Sequence, residues 1–187
     1  MDDYHQSNIR FLLSARMLYD KGVREFVEAA HILRAKYPNA QFCLLGPMGV
    51  ANPAAISEEQ MQEWLQDGNV QYLGVTNDVI PFLQTADCVV LPSYREGISF
   101  TLLEGSAMGL PIVTSDTIGC RDVVEDGVTG WLCNPKDVPS LVFTMEKVLL
   151  MTPEERKQMG AAGRKKIEEE FSLDRVIAQY ETKLQSK

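Results

Sequence analysis

Several signatures that would settle the class of a protein are missing from this chain of 187 residues. No two cysteines are spaced C-x-x-C. Cys43, Cys88, Cys120 and Cys133 stand singly in apolar stretches, which excludes a zinc ribbon or a disulfide framework and fits reduced core thiols of a cytosolic protein. No apolar run approaches the roughly 18 residues of a membrane span, and the polar opening Met1 to Asn8 has no signal-peptide core. The chain therefore reads as soluble and cytoplasmic. Positive charge is in deficit, 18 Lys and Arg against 26 Asp and Glu for a formal net charge of −8, which argues against nucleic acid as a partner. No G-x-G-x-x-G follows the first strand-like run, so the dinucleotide fingerprint is absent. Of the 2 histidines, His5 lies in the polar lead and His31 on the first helical stretch; with none in a candidate loop, both read as surface or boundary residues.

What is present is a regular alternation. Strand-like runs at Arg10 to Ala15, Gln41 to Leu45, Val70 to Leu73, Cys88 to Leu91, Ile112 to Thr114 and Gly130 to Cys133 are separated by helical patterns. Between the first two, Val23 to Tyr37 sets Phe26, Val27, Ala30, Ile32 and Leu33 on one stripe, with Pro38-Asn39 as the stop. Further on, Ser57-Glu58-Glu59 opens a short helix with Met61, Trp64 and Leu65 inward, and Thr152-Pro153-Glu154-Glu155 is a capping box with proline at the first helical position. The pattern predicts an α/β fold: a Rossmann-like, doubly wound parallel sheet of about six strands, helices on both faces and extra C-terminal helices. The expected division is a polar lead over 1–9, acting as an interdomain linker, one domain over 10–171, and a C-terminal helix over 172–187 capped by Ser172.

In open parallel sheets the loops after strand C-termini carry the ligand. After the first strand, Arg16 and Lys21 stand five positions apart with Lys21 just ahead of a helix; two cations there suit a diphosphate. After the second, Gly46 in Leu-Gly-Pro-Met-Gly lets a nucleotide approach the backbone or simply makes a turn. After the fourth, Glu96-Gly97-Ile98-Ser99-Phe100-Thr101-Leu102-Leu103-Glu104 brackets a helix start between two carboxylates eight positions apart. Glu96 falls in the loop and Glu104 on the second helical turn, with free backbone N–H groups between them that attract phosphate oxygens. That order suits a sugar, a diphosphate and a ribose in a row.

Three segments together resemble the donor-binding C-terminal half of GT-B retaining glycosyltransferases of family 4, the glycosyl transferases group 1. They are Ala-Arg-Met-Leu-Tyr-Asp-Lys-Gly from Ala15, Leu-Pro-Ser-Tyr-Arg-Glu-Gly-Ile-Ser-Phe-Thr-Leu-Leu-Glu-Gly-Ser-Ala-Met-Gly-Leu-Pro-Ile-Val from Leu91, and Gly-Cys-Arg-Asp-Val-Val-Glu-Asp-Gly-Val-Thr-Gly from Gly119. The resemblance runs from about Arg10 to Asp174 and is nearest to the branch that assembles bacterial capsule, O-antigen and other glycans.

By that resemblance Arg16 and Lys21 neutralise the donor diphosphate. Glu96, the residue nearest the chemistry, holds hydroxyls of the transferred sugar, and Glu104 takes the ribose hydroxyls. The backbone at Gly97, Ile98, Ser99, Phe100 and Thr101 contacts phosphate and sugar, while Val75 and Gly46 flank the nucleoside. The implied reaction is transfer of a sugar from a nucleotide sugar, expected to be a UDP-sugar, with retention, to a glycan or lipid-linked acceptor held by an N-terminal domain. The donor is a substrate, so no separate cofactor is implied. No metal is implied either, because the chain lacks the Asp-x-Asp of the other major glycosyltransferase fold. Peripheral membrane association belongs to the full-length enzyme, and a fragment without the N-terminal domain is expected to be inactive. The family often has Phe-Gly where this chain has Ile98-Ser99 and a second glycine in place of Cys120, so sugar identity does not carry over. Two other readings compete: a nucleotide-sugar epimerase of the same architecture, and a non-catalytic α/β binding module.

Overall fold

The computed structural model describes residues 8–171, so the lead over 1–7 and the helix expected over 172–187 lie outside the described residues. Strands β1 (Arg10–Ser14), β2 (Gln41–Leu45), β3 (Gln71–Tyr72), β4 (Cys88–Leu91), β5 (Ile112–Ser115) and β6 (Gly130–Cys133) form one sheet in the order β3-β2-β1-β4-β5-β6. Every pairing is parallel. Helices α1 (Val23–Lys36), α2 (Glu58–Leu65), α3 (Ile80–Leu83), α4 (Phe100–Ala107), α5 (Cys120–Val123), α6 (Val138–Leu150) and α7 (Pro153–Glu170) complete the fold.

Alternation along each strand builds two cores, since successive side chains point to opposite faces. Phe11, Leu13, Phe42, Leu44, Cys88 and Val90 face α1 and α6, meeting Phe26, Ala30, Leu33, Met145 and Val148. Phe11 and Phe42 stack there with ring centroids 5.3 Å apart. Leu12, Cys43, Leu45, Val89 and Leu91 face the other way, onto Leu102 of α4, Val123 of α5 and Ile167 of α7. Each fully buried aliphatic or aromatic side chain contributes about 1.5–3 kcal/mol. Burial of the neighbouring Ile9 extends the first core by one residue ahead of β1.

Helix starts follow their caps. Ser57 accepts from the Gln60 N–H at α2, Asp137 from the Ser140 N–H at α6, and Thr152 and Glu155 exchange hydrogen bonds in a capping box at α7. The structure departs from the sequence pattern at three places. Ile32 is 50 % exposed, because it lies roughly 120° round the helix from Phe26 at 100° per residue. β3 has two residues where four were expected, pairing only with Cys43 and Leu44 at the sheet edge. The single-turn helices α3 and α5 are too short to show a period.

All four cysteines are free and buried. Burial pushes the Cys88 thiol far above its ordinary range and the Cys133 thiol up to about 12, so neither is a thiolate at neutral pH. Among the described residues no helix is long and apolar enough to cross a membrane.

The strand order sets the place of the site. The chain runs outward from β1 through β2 to β3, then returns to lay β4 on the other side of β1. Connections leave the C-terminal ends of β1 and β4 for opposite faces, and a crevice opens between them.

Candidate active site

That crevice is a cavity of about 210 Å³ lined by Ala15, Arg16 and Lys21 from the β1 side and by Leu91, Glu96 and the start of α4 from the β4 side. Of the residues singled out in the sequence, Arg16, Lys21, Glu96, Ile98, Ser99, Phe100 and Thr101 line it, and Gly97 lies in the same exposed loop. Glu104, Gly46 and Val75 do not line it. Glu104 is exposed on α4, with its carboxyl raised from the ordinary range by partial desolvation. Val75 is an exposed loop residue. At Gly46 the close approach is made by the chain itself: a Cβ there would stand 1.9 Å from the Ala15 carbonyl oxygen, and its own carbonyl accepts from the Tyr72 hydroxyl at 2.8 Å.

The loop carrying Glu96 is held to the turn carrying Lys21. The Asp20 carbonyl accepts from the Tyr94 N–H at 2.8 Å and from the Ser93 hydroxyl at 3.1 Å. Two glycines clamp the loop from beneath. Gly22, at φ +72°, sits where a Cβ would be 2.1 Å from the Pro92 carbonyl oxygen; Gly119, at φ +85°, sits where one would be 1.9 Å from that of Gly97 and 2.6 Å from that of Glu96. Any other residue at either position meets backbone and a left-handed φ together. The Thr101 hydroxyl ties α4 to β1 by donating to the Ser14 carbonyl at 2.9 Å.

A second tie is polar and buried. Glu25, 2 % exposed in the first turn of α1, accepts from the Tyr94 hydroxyl at 2.6 Å and from Arg24 at 2.9 Å. Burial first, and then the hydrogen bond to that carboxylate, push the Tyr94 phenol up to about 12. The Lys136 ammonium stands 4.7 Å over the same ring.

Within the crevice, Lys21 Nζ and Glu96 Oε1 are 2.7 Å apart, with the side chains 17 % and 10 % exposed. Arg16 is exposed and has no ion pair among the described residues. Ser99 occupies the N-cap of α4 without a side-chain cap, unlike Ser57, Asp137 and Thr152, so the positive end of α4 opens toward the cavity. Among the described residues no three His, Cys, Asp or Glu side chains cluster as a metal site. The Lys21–Glu96 pair, the Tyr94–Glu25 tie and the two clamping glycines escape sequence reasoning. The only signal of the clamps is that Gly22 and Gly119 fall inside the matched segments, and nothing in spacing joins Lys21 to Glu96.

The geometry offers two cations and a helix N-terminus for an anion, with a carboxylate beside them. Comparison with known proteins gives this a family. The model for glycosyl transferases group 1 matches residues 5–166. Over 151 residues the chain is 37 % identical to the N,N'-diacetylbacillosaminyl-diphospho-undecaprenol alpha-1,3-N-acetylgalactosaminyltransferase of Campylobacter jejuni, covering 81 % of this chain and 37 % of that protein. Over 174 residues it is 28 % identical to the capsular polysaccharide biosynthesis glycosyltransferase CapM of Staphylococcus aureus, covering 91 % and 45 %. The chain thus spans less than half the length of these relatives. The crystal structure of HepE from Anabaena in complex with UDP matches with a TM-score of 0.84 at 20 % identity, over 98 % of this chain and 50 % of that one, a likeness of fold. A Rossmann-like half of the GT-B architecture, matched to one family model over most of its length, places the chain in the glycosyl transferases group 1 family.

Proposed function

We propose that this chain is the donor-binding half of a retaining, metal-independent glycosyltransferase of the hexosyl-transferring kind, taking a UDP-sugar as substrate and needing no separate cofactor. The observation that carries the reading is the convergence of Arg16, Lys21, Glu96 and the uncapped start of α4 on one crevice at the point where strand order reverses. Departure of a nucleoside diphosphate builds negative charge on its phosphates. Fixed cations and helix N–H groups stabilise that charge as it grows. Glu96, in the loop, accepts from hydroxyls of the transferred sugar, and Glu104, farther along α4, accepts from the ribose, with Val75 and Gly46 near the base. The UDP in the HepE complex supports the choice of nucleotide.

The acceptor is a glycan or a lipid-linked saccharide, bound by a further domain. The Campylobacter relative, whose name contains a diphospho-undecaprenol acceptor, supports a lipid-linked acceptor, and the working place proposed for the full-length enzyme is the cytoplasmic side of a membrane. Without that domain the chain binds donor and does not transfer. Titration calorimetry with UDP in EDTA tests the reading: saturable binding that persists in EDTA is the expected result, and binding that appears only with added magnesium, or no binding of any nucleoside diphosphate, overturns it.

A further inference from the structure

Lys21 and Glu96 are the two groups that the donor-site reading assigns to different parts of the ligand, yet they are bonded to each other at 2.7 Å. Resting on that reading, we infer that this ion pair makes the site discriminate between a nucleotide sugar and the bare nucleoside diphosphate left after transfer. Glu96 is 10 % exposed. A phosphate that draws the Lys21 ammonium to itself therefore leaves a largely desolvated carboxylate without its cation, and an uncompensated charge of that kind is costly. A ligand carrying sugar hydroxyls beside its phosphates replaces what Glu96 loses, whereas UDP does not.

The surrounding structure confines this exchange to side chains. The Asp20 carbonyl ties the turn before Gly22 to Ser93 and Tyr94, and Gly119 lies directly under the Glu96 and Gly97 carbonyls, so the two backbones cannot move apart to relieve the pair. Arg16, unpaired and exposed among the described residues, is the cation that meets the diphosphate first. Lys21 is held back until the sugar can take over Glu96. The consequence is a site in which product binds with one cation compensated and substrate binds with both free, which favours product release.

The test is a double-mutant cycle read by UDP affinity, with wild type, Glu96→Gln, Lys21→Ala and the double variant each checked for folding by circular dichroism. Removing the Glu96 charge frees Lys21, so Glu96→Gln binds UDP about fivefold tighter than wild type. In the Lys21→Ala background the same change has less than about a twofold effect. Inorganic pyrophosphate, which lacks the nucleoside, follows the same pattern. Equal or weaker UDP binding by Glu96→Gln overturns the inference, as does a tightening that survives in the Lys21→Ala background, which marks simple through-space repulsion. An Arg16→Ala arm separates the two levels. If Arg16→Ala abolishes UDP binding while Glu96→Gln changes nothing, the donor site stands and the pair does not discriminate; if no variant and no wild type binds UDP, both fail.

Discussion

The two edges of the sheet differ in a way that volume alone misreads. At the N-terminal edge of β1, β2 and β3 lies a cavity of about 600 Å³, lined by Asn8, Arg34, Asn39, Gln41, Asn69 and Gln71 among others. At the C-terminal edge of β1 and β4 the crevice is about 210 Å³. The larger space is walled by neutral amides and apolar residues, and its one cation, Arg34, donates to the Ala40 carbonyl. Helices that pack on a parallel sheet turn their carbonyl ends toward that edge. The smaller space gathers Arg16, Lys21, Glu96 and an open helix N-terminus. What marks a site for a charged ligand is convergence of charged side chains and a helix N-terminus on rigid elements, and of these two cavities the small crevice has it.

The sharpest way to break this contrast is at the clamp. Gly119→Ala forces a Cβ onto the Gly97 carbonyl at a left-handed φ, so thermal denaturation should show a loss of about 2–4 kcal/mol and UDP binding should disappear. Next comes Arg16→Ala, expected to weaken UDP by about 1.5–3 kcal/mol, the range for hydrogen bonds to charged groups, with folding intact; calorimetry that finds unchanged affinity places the phosphates elsewhere. Tyr94→Phe removes the hydroxyl that reaches Glu25. Because the Tyr94 pKa is raised in the folded chain to about 12, the stability it adds is fully present below the unfolded value near 10 and is lost as pH rises through about 12. Because burial also raises Tyr37 and Tyr72, ultraviolet titration should show one late-ionising tyrosine fewer in the variant than in wild type.

A smaller effect concerns Glu104. Its pKa is raised by desolvation, so the carboxylate proposed to accept from ribose forms at a higher pH than for an ordinary glutamate. UDP affinity should therefore rise with pH through that range, and Glu104→Gln should flatten the profile, as should a deoxyribonucleotide. Smallest of all, Asn69→Ala or Gln71→Ala at the opposite edge should leave UDP affinity unchanged within about 0.5 kcal/mol.

How much of this was legible in the chain divides along the same contrast. Local rules reached the elements: the continuous apolar runs Phe42 to Leu45 and Cys88 to Leu91 pointed to interior strands, and Thr152 with Glu155 gave the start of α7. The strand order did not follow from pattern, because nothing local tells the chain to return past β1 for β4. The membership of the crevice was largely readable, since the loops after β1 and β4 carry it. Its internal bonding was not. The Lys21–Glu96 pair joins residues 75 positions apart, Tyr94 meets Glu25 across 69, and Gly119 acts on the Glu96 loop through backbone contact that leaves no side-chain signature. Ile32 shows the same limit from the other direction: an apolar residue near a stripe is not on it until the helix is set against its sheet.

The most direct test is hydrogen–deuterium exchange of the chain with and without UDP, which reports both edges in one experiment. Slowed exchange at residues 16–21 and 96–104, with residues 39–43 and 68–71 unchanged, is the result that places the donor at the reversal of strand order. Protection at 39–43 and 68–71, with the Glu96 loop unaffected, would contradict it and move the ligand to the larger cavity.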